Sequence, residues 1–162
     1  MQLVMMGVSG VGKSVVGARL AKALDVPFEE GDALHPPANV AKMASGQPLD
    51  DADRAPWLDA VAGWLTAHPA GVVSCSALKR GYRDRLRAAA PDACFVLLTA
   101  DAGTLHQRLH GRREHFMPAT LLRSQLGTLE PLAPDERGIT VASTDTVEAT
   151  VNAVLGRLGR RR

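Results

Sequence analysis

The chain is short of cysteine, of charge imbalance and of uninterrupted apolar sequence, and each shortage excludes something. Only two cysteines occur in 162 residues, Cys75 and Cys94, both inside apolar runs. That excludes a disulfide framework and reads as reduced, buried thiols in a reducing compartment. No cationic segment precedes the first apolar run, and "QLVMM" (2–6) is too short for a secretory signal core. The longest stretch without charge, Ala60 to Leu78, contains His68, Pro69 and two glycines, so it reads as helix, turn and strand and not as a membrane span. The formal net charge is only +2. Four arginines sit in the last seven residues, "GRLGRRR", which leaves 15 basic against 17 acidic groups elsewhere. The body therefore lacks the broad basic surface of a nucleic-acid binder, and the basic tail at 157–162 reads as a solvated terminus. No internal repeat or low-complexity segment is present. The expectation is one soluble, cytoplasmic domain spanning 1–162, with neither nucleic acid nor membrane as partner.

What the chain does have is alternation. Short apolar runs appear at "LVMM" (3–6), "VPF" (26–28), "GVVSC" (71–75), "CFVLL" (94–98) and "ITVA" (139–142). Their nearly continuous hydrophobicity predicts strands buried on both faces. Between them lie stripes at helical spacing: Val16, Leu20 and Leu24; Trp57, Val61 and Leu65; Leu105 and Leu109; Leu122, Leu126 and Leu129. A last helix carries Val147, Val151, Val154 and Leu158, with Asp145 as its expected N-cap and Glu148 three residues on. Strands alternating with helices predict an α/β fold with a parallel sheet covered on both sides. The prolines of "EPLAPDE" (130–136) read as a connector. In such a sheet ligands gather beyond the carboxyl ends of the strands, and the polar signatures do follow the strands.

The first of these, "GVSGVGKS" (7–14), fits G-x-x-x-x-G-K-[ST], follows a strand and opens a helix. Gly7, Val8, Ser9, Gly10, Val11 and Gly12 would turn their amides toward phosphate oxygens. Lys13 would reach the β- and γ-phosphates, and Ser14 would ligate Mg²⁺. ATP with Mg²⁺ is the nucleotide so implied.

The second signature, "EEGDALHPPAN" (29–39), follows the second apolar run. If "VPFEEGD" continues as one strand, Glu30 and Asp32 share a face beside the phosphate loop. Asp32 would then orient an attacking hydroxyl or take its proton, and Glu30 would hold a water on the metal. Phosphoryl transfer has a loose transition state, so orientation and charge neutralisation outweigh strong base chemistry. The donors and acceptors that follow, including His35, Asn39, Lys42, Asp51, Asp53 and Arg54, suit a polyhydroxylated acceptor. Arg54 amid acidic residues reads as a carboxylate clamp, and Asp50 or Asp51 as the cap of the next helix. In "CSALKRGYRDRL", Lys79 and Arg83 are four residues apart on one helix face. Lys79 beside a helix N-terminus asks for an anion there. "RLHGRREHF" places Arg108 and Arg112 one turn apart, with Arg113 adjacent, where a movable arm could present them to phosphates.

Taken together, "GDALHPPANVAKMASGQPLDDADRAPWL", "CSALKRGYRD" and "HFM…LLRSQLGTLEP" resemble the small P-loop gluconate kinases, relatives of shikimate and adenylate kinases. The resemblance runs nearly end to end. It implies ATP-dependent phosphorylation of D-gluconate at its terminal hydroxyl, giving 6-phosphogluconate, with Mg²⁺. It also implies a three-layer fold with strand order 2-3-1-4-5, a mobile lid at about 110–125, and a homodimer. By position, Lys13, Asp32 and Arg112 are the expected catalytic residues, with Asp32 as the acceptor-binding acid. His35, Arg54, Lys79 and Arg83 look like the gluconate pocket. Arg108 and Arg112 resemble a lid pair, the first stacking on adenine and the second meeting phosphates. Glu30 stands where relatives usually have aspartate, and Glu114 where glycine is common. A nucleotide or shikimate kinase is the rival on the same scaffold. A GTP switch would need an N-K-x-D motif, which is absent. A nucleic-acid-dependent ATPase would have to depend on the arginine tail.

Overall fold

Strands apolar on both faces need cover on both sides. In the computed structural model, which describes residues 1–110 and 119–160, helices provide it around one parallel sheet. Strand β1 (Gln2–Met6) runs through the glycine-rich loop into helix α1 (Lys13–Leu24). Next come β2 (Phe28–Glu30), a 3₁₀ turn (Gly31–Leu34), α2 (Pro37–Ala44) and α3 (Asp51–Ala67). After them follow β3 (Gly71–Ser74), α4 (Arg80–Ala89), β4 (Cys94–Thr99) and α5 (Ala102–His110). The described chain ends with α6 (Ala119–Thr128), β5 (Gly138–Ala142) and α7 (Val147–Gly159). The strand order is β2-β3-β1-β4-β5 with every pair parallel, the order the resemblance implies.

Alternation along β1 divides the core in two. Leu3 and Met5 face α1 and α7, packing with Val16, Leu20, Val151 and Val154. Val4 and Met6 face α3 and α4, packing with Trp57, Val61, Leu65 and Leu86. All four strand residues are fully buried, and each such side chain stabilises the fold by about 1.5–3 kcal/mol. Cys75 and Cys94 are buried thiols without a disulfide. Burial pushes the Cys75 thiol up to about 12, which makes it a packing group.

Two helix caps refine the sequence reading. The Asp50 carboxylate accepts from the Asp53 amide at 2.7 Å, and Asp53 returns the bond to the Asp50 amide at 3.0 Å. This capping box settles the choice between Asp50 and Asp51. Helix α7 is capped by Thr146, whose Oγ1 accepts from the Ala149 amide at 3.2 Å, one residue past the expected Asp145.

The second strand also differs from expectation. It begins two residues later than the "VPF" run and ends at Glu30, so Asp32 lies in the 3₁₀ turn and not on the strand. Strand alternation therefore does not place Asp32; the turn does. That turn is forced against β3, because a Cβ on Gly31 would lie 1.8 Å from the Ser74 carbonyl oxygen. Gly31→Ala is expected to lower stability by about 1–3 kcal/mol, the cost of an overpacked backbone contact. Urea unfolding checks this, and an unchanged midpoint would mean that the turn tolerates displacement from Ser74.

Candidate active site

Adjacent strands β1, β3 and β2 all end on one side of the sheet, and the segments that follow them line one cavity of about 270 Å³. Ser9 and Lys13 come from the loop after β1, Ser76 and Leu78 from the segment after β3, and Asp32 and His35 from the turn after β2. The Gly7 amide donates to the Ser76 carbonyl at 3.2 Å, which ties the first two segments together.

The phosphate loop has the form its sequence predicts. Gly12 caps α1 at φ 101°, a left-handed conformation that a side chain would strain. No side chain caps this helix and its first turn holds no acid, so its amides face the loop as donors for an anion. The Lys13 ammonium donates to the Val8 carbonyl at 3.0 Å, and the Ser9 amide donates to Gln125 Oε1 at 2.8 Å. Ser14 is half-buried in the first turn of α1. Arg108 grips the outer side of the loop. Its Nη1 donates to the Gly10 carbonyl at 3.2 Å and to Ser143 Oγ at 3.0 Å, and its Nη2 donates to the Thr144 carbonyl at 3.2 Å.

Across the cavity, His35 is locked by three neighbours. Its ring stacks on Trp57 with centroids 4.2 Å apart and 14° between planes. Trp57 in turn donates to the Gly31 carbonyl at 2.8 Å, so the stack and the turn hold each other. Asn39 Nδ2 donates to the Asp53 carbonyl at 2.8 Å, which fixes the orientation of its amide, and lies 3.2 Å from His35 Nδ1. Nδ1 must then accept, so the neutral ring carries its proton on Nε2, 4.0 Å from Asp32 Oδ1. Burial lowers the His35 pKa below its ordinary value, and the Arg54 charge adds to this against the opposing pull of Asp32. Asp32 itself is 67% exposed and faces the cavity.

Arg54 is held from behind. Its Nη1 donates to the Leu49 carbonyl at 2.6 Å and to the Tyr82 hydroxyl at 3.1 Å, while Tyr82 donates to Asp51. Among the described residues no carboxylate pairs with the Arg54 guanidinium. One wall of the cavity is apolar, with Met43, Leu49, Leu78 and Leu121. Two cations, an acid and a neutral imidazole thus converge where a phosphate loop meets an acceptor space.

A family model described as an AAA domain matches residues 3–132. The chain is also 54% identical over 144 residues to a gluconokinase of Gluconobacter oxydans, covering 86% of this chain and 81% of that protein. The chain belongs to the gluconokinase family. It is 42% identical to the thermoresistant gluconokinase of Escherichia coli, over 88% of this chain and 83% of the relative. The crystal structure of a gluconokinase from Sinorhizobium meliloti superposes with a TM-score of 0.91 at 48% identity, covering 98% of this chain and 91% of that one. A shikimate kinase from Aquifex aeolicus shares the fold alone, at 16% identity and a TM-score of 0.63.

Set against this gluconokinase scaffold, Asp32, His35 and Arg54 meet Lys13 at the cavity, and other expected site residues do not. Arg83 is fully buried behind the cavity wall. Its Nε and Nη2 donate to the two oxygens of Glu136, each at 2.8 Å, and its Nη1 donates to the Ala77 carbonyl at 3.0 Å. It thus stands off the cavity lining, in a buried ion pair. Lys79 is the N-cap of α4 and bonds Asp51 at 3.2 Å, so Asp51 supplies the anion that its position asks for. The Glu30 carboxylate accepts from Ser74 Oγ at the end of β2. Arg112, together with much of the expected lid, lies outside the described residues.

The helical stripe at Leu122, Leu126 and Leu129 predicts α6 but not its part in the site. Leu121, Ser124 and Gln125 line the cavity from this helix. Only the polar pair within a leucine stripe marks them, a weak signal in any surface helix. Tyr82, which links Arg54 to Asp51, was likewise not singled out.

Proposed function

We propose that the protein transfers the γ-phosphoryl group of ATP to the 6-hydroxyl of D-gluconate, giving 6-phosphogluconate and ADP. The observation that carries this reading is the shared cavity, lined both by the phosphate-loop Lys13 and by Asp32, His35 and Arg54. Two of the relatives are gluconokinases, at 54% and 42% identity.

In this reading the amides of Gly7–Ser14 and the α1 dipole hold the phosphates, and Lys13 neutralises the transferring group. Arg54 clamps the gluconate carboxylate from its Tyr82 and Leu49 supports. Neutral His35, with its proton on Nε2, donates to a sugar hydroxyl or to Asp32. Asp32 orients the 6-hydroxyl and accepts its proton as the new O–P bond forms and the bond to the ADP oxygen breaks. Arg108 and Arg112 complete the cationic surround of the nucleotide. Lys79 acts through Asp51, outside direct contact with gluconate.

A hydroxyl in the first turn of α1 and a single carboxylate at the end of β2 suit Mg²⁺, which keeps waters and phosphate oxygens as most of its ligands. Ser14 would hold it directly and Glu30 through water. When bound, it neutralises charge on the β- and γ-phosphate oxygens. A mobile lid at about 110–125, a homodimer and a cytoplasmic setting belong to the same proposal. The buried thiols fit that setting. Among the described residues no helix is long and apolar enough to cross a membrane.

The test is ADP release from ATP in the presence of gluconate, shikimate, AMP or CMP. Gluconate alone is expected to drive turnover. Turnover with AMP or shikimate, and none with gluconate, would overturn the proposal.

A further inference from the structure

The Ser9 amide belongs to the set that the phosphate loop offers to a nucleotide, yet Gln125 Oε1 accepts from it at 2.8 Å across 116 residues of sequence. The placement of that amide is informative. Gly10 and Val11 turn their carbonyls to Arg108 on the outer side of the loop, whereas Ser9 lines the cavity beside Lys13 and Asp32. Ser9 thus sits at the acceptor end of the loop, where a terminal phosphate would meet a hydroxyl. Gln125 projects from α6 into the same cavity, next to Ser124.

We infer that Gln125 is a positioning residue that senses the γ-phosphate, its carboxamide oxygen standing on the Ser9 amide until the phosphate takes that place. A carboxamide is suited to this exchange because it is neutral and carries both an acceptor and two donors. Its oxygen satisfies the Ser9 amide as a phosphate oxygen would. Once displaced, its NH₂ group can donate to an acceptor hydroxyl, which an acceptor-only side chain cannot do. The exchange links the arrival of the third phosphate to the placement of α6. ADP, which lacks that phosphate, leaves the Ser9–Gln125 bond in place. The inference deepens the proposed phosphoryl transfer and rests on its reading of the loop.

The experiment compares ATP and ADP dissociation constants by calorimetry, without gluconate, in the wild type, Gln125→Glu and Gln125→Ala. A carboxylate at 125 would hold the amide more firmly and repel the incoming charge. Gln125→Glu is therefore expected to weaken ATP about tenfold or more while changing ADP by less than about threefold. That selectivity is expected to shrink below about pH 5, as the new carboxyl takes up a proton. Gln125→Ala, which frees the amide, is expected to bind ATP at least as tightly as the wild type. Equal weakening of ATP and ADP in Gln125→Glu, or weaker ATP binding in Gln125→Ala, would overturn the inference. Because gluconate is absent from the measurement, a wrong assignment of the acceptor leaves this test intact, and the two failures remain distinct.

Discussion

Asp32→Asn is expected to leave ATP affinity near the wild-type value while lowering kcat with gluconate by about 10²–10⁴-fold, the range for a positioned acid–base group. The physical basis is the division of labour across the cavity. The phosphate loop, Lys13 and Arg108 form their contacts without Asp32, so nucleotide binding does not depend on it. The proposed placement of the acceptor hydroxyl does. An asparagine of the same size can still accept a hydrogen bond, but it carries no charge and takes no proton. Orientation would survive in part, and the proton would have nowhere to go. Because the transition state is loose, the loss falls mainly on placement of the hydroxyl and on the electrostatics of its deprotonation. Asp32→Glu separates the two contributions. It keeps the charge but shifts the carboxylate by one methylene, and a misplacement of about 1 Å costs on the order of 10²-fold. Steady-state kinetics with saturating ATP and varied gluconate measure both variants. Wild-type turnover in Asp32→Asn would remove this residue from the chemistry and leave His35 as the acceptor-side group nearest to it.

The phosphate loop was legible from sequence because its function requires contiguous residues. A strand, a run of glycines and a helix start cannot be scattered without losing the nest of amides. The three inner strands were legible because each is apolar on both faces, as Val4, opposite Val73 and Phe95, illustrates. The errors have equally local causes. β2 is an edge strand with two glutamates, so the apolar run ends where the strand begins, and Val26 and Pro27 precede it. Val26 in fact closes the end of α1, its amide donating to the Ala21 carbonyl at 3.0 Å. Asp145 and Thr146 both have cap chemistry, and only the extended backbone at Thr146, φ −115°, decides between them. Arg83 lies off the cavity lining for a different reason. Four-residue spacing puts Lys79 and Arg83 on one face only if both are helical, and Lys79 is the cap residue just outside α4. Nothing near Arg83 in sequence announces Glu136, which reaches it from 53 residues away. Gln125 was invisible because its partner is a backbone amide, and a backbone amide leaves no trace in composition.

That buried pair yields the largest expected effect on stability. The side chains of Arg83 and Glu136 are both 0% exposed, and Arg87 and the Ala133 amide also donate to the Glu136 carboxylate. Burial alone would raise the Glu136 pKa; Arg83, the Ala133 amide and Arg87 outweigh it and hold the group at about 2, against an ordinary 4.5. Removing one member of a buried ion pair costs about 3–5 kcal/mol, and Arg87 with the Ala133 amide compensates the remaining Glu136 charge only in part. For a domain of this size Arg83→Leu should therefore lower Tm by about 6–20 °C, at the usual 2–4 °C per kcal/mol. A local rearrangement accompanies this loss and offsets a small part of it. Arg83 bonds the carbonyls of Ala77 and Leu78, and Ala77 is held at φ 43°, a left-handed conformation that costs a non-glycine residue about 1–2 kcal/mol. Without the guanidinium that segment can relax, and Ser76 and Leu78, which line the cavity, would shift with it. The pH dependence follows from the depressed carboxyl. Its contribution is fully present above about pH 4.5 and is lost as pH falls toward 2. In Arg83→Leu the folded-state pKa moves up toward the ordinary value, so wild type and variant should converge in stability as acid is added. Thermal unfolding between pH 2 and 7 measures both the offset, about 6–20 °C at neutral pH, and the convergence. A variant with unchanged Tm and a raised KM for gluconate would return Arg83 to the substrate pocket and reduce Glu136 to a bystander.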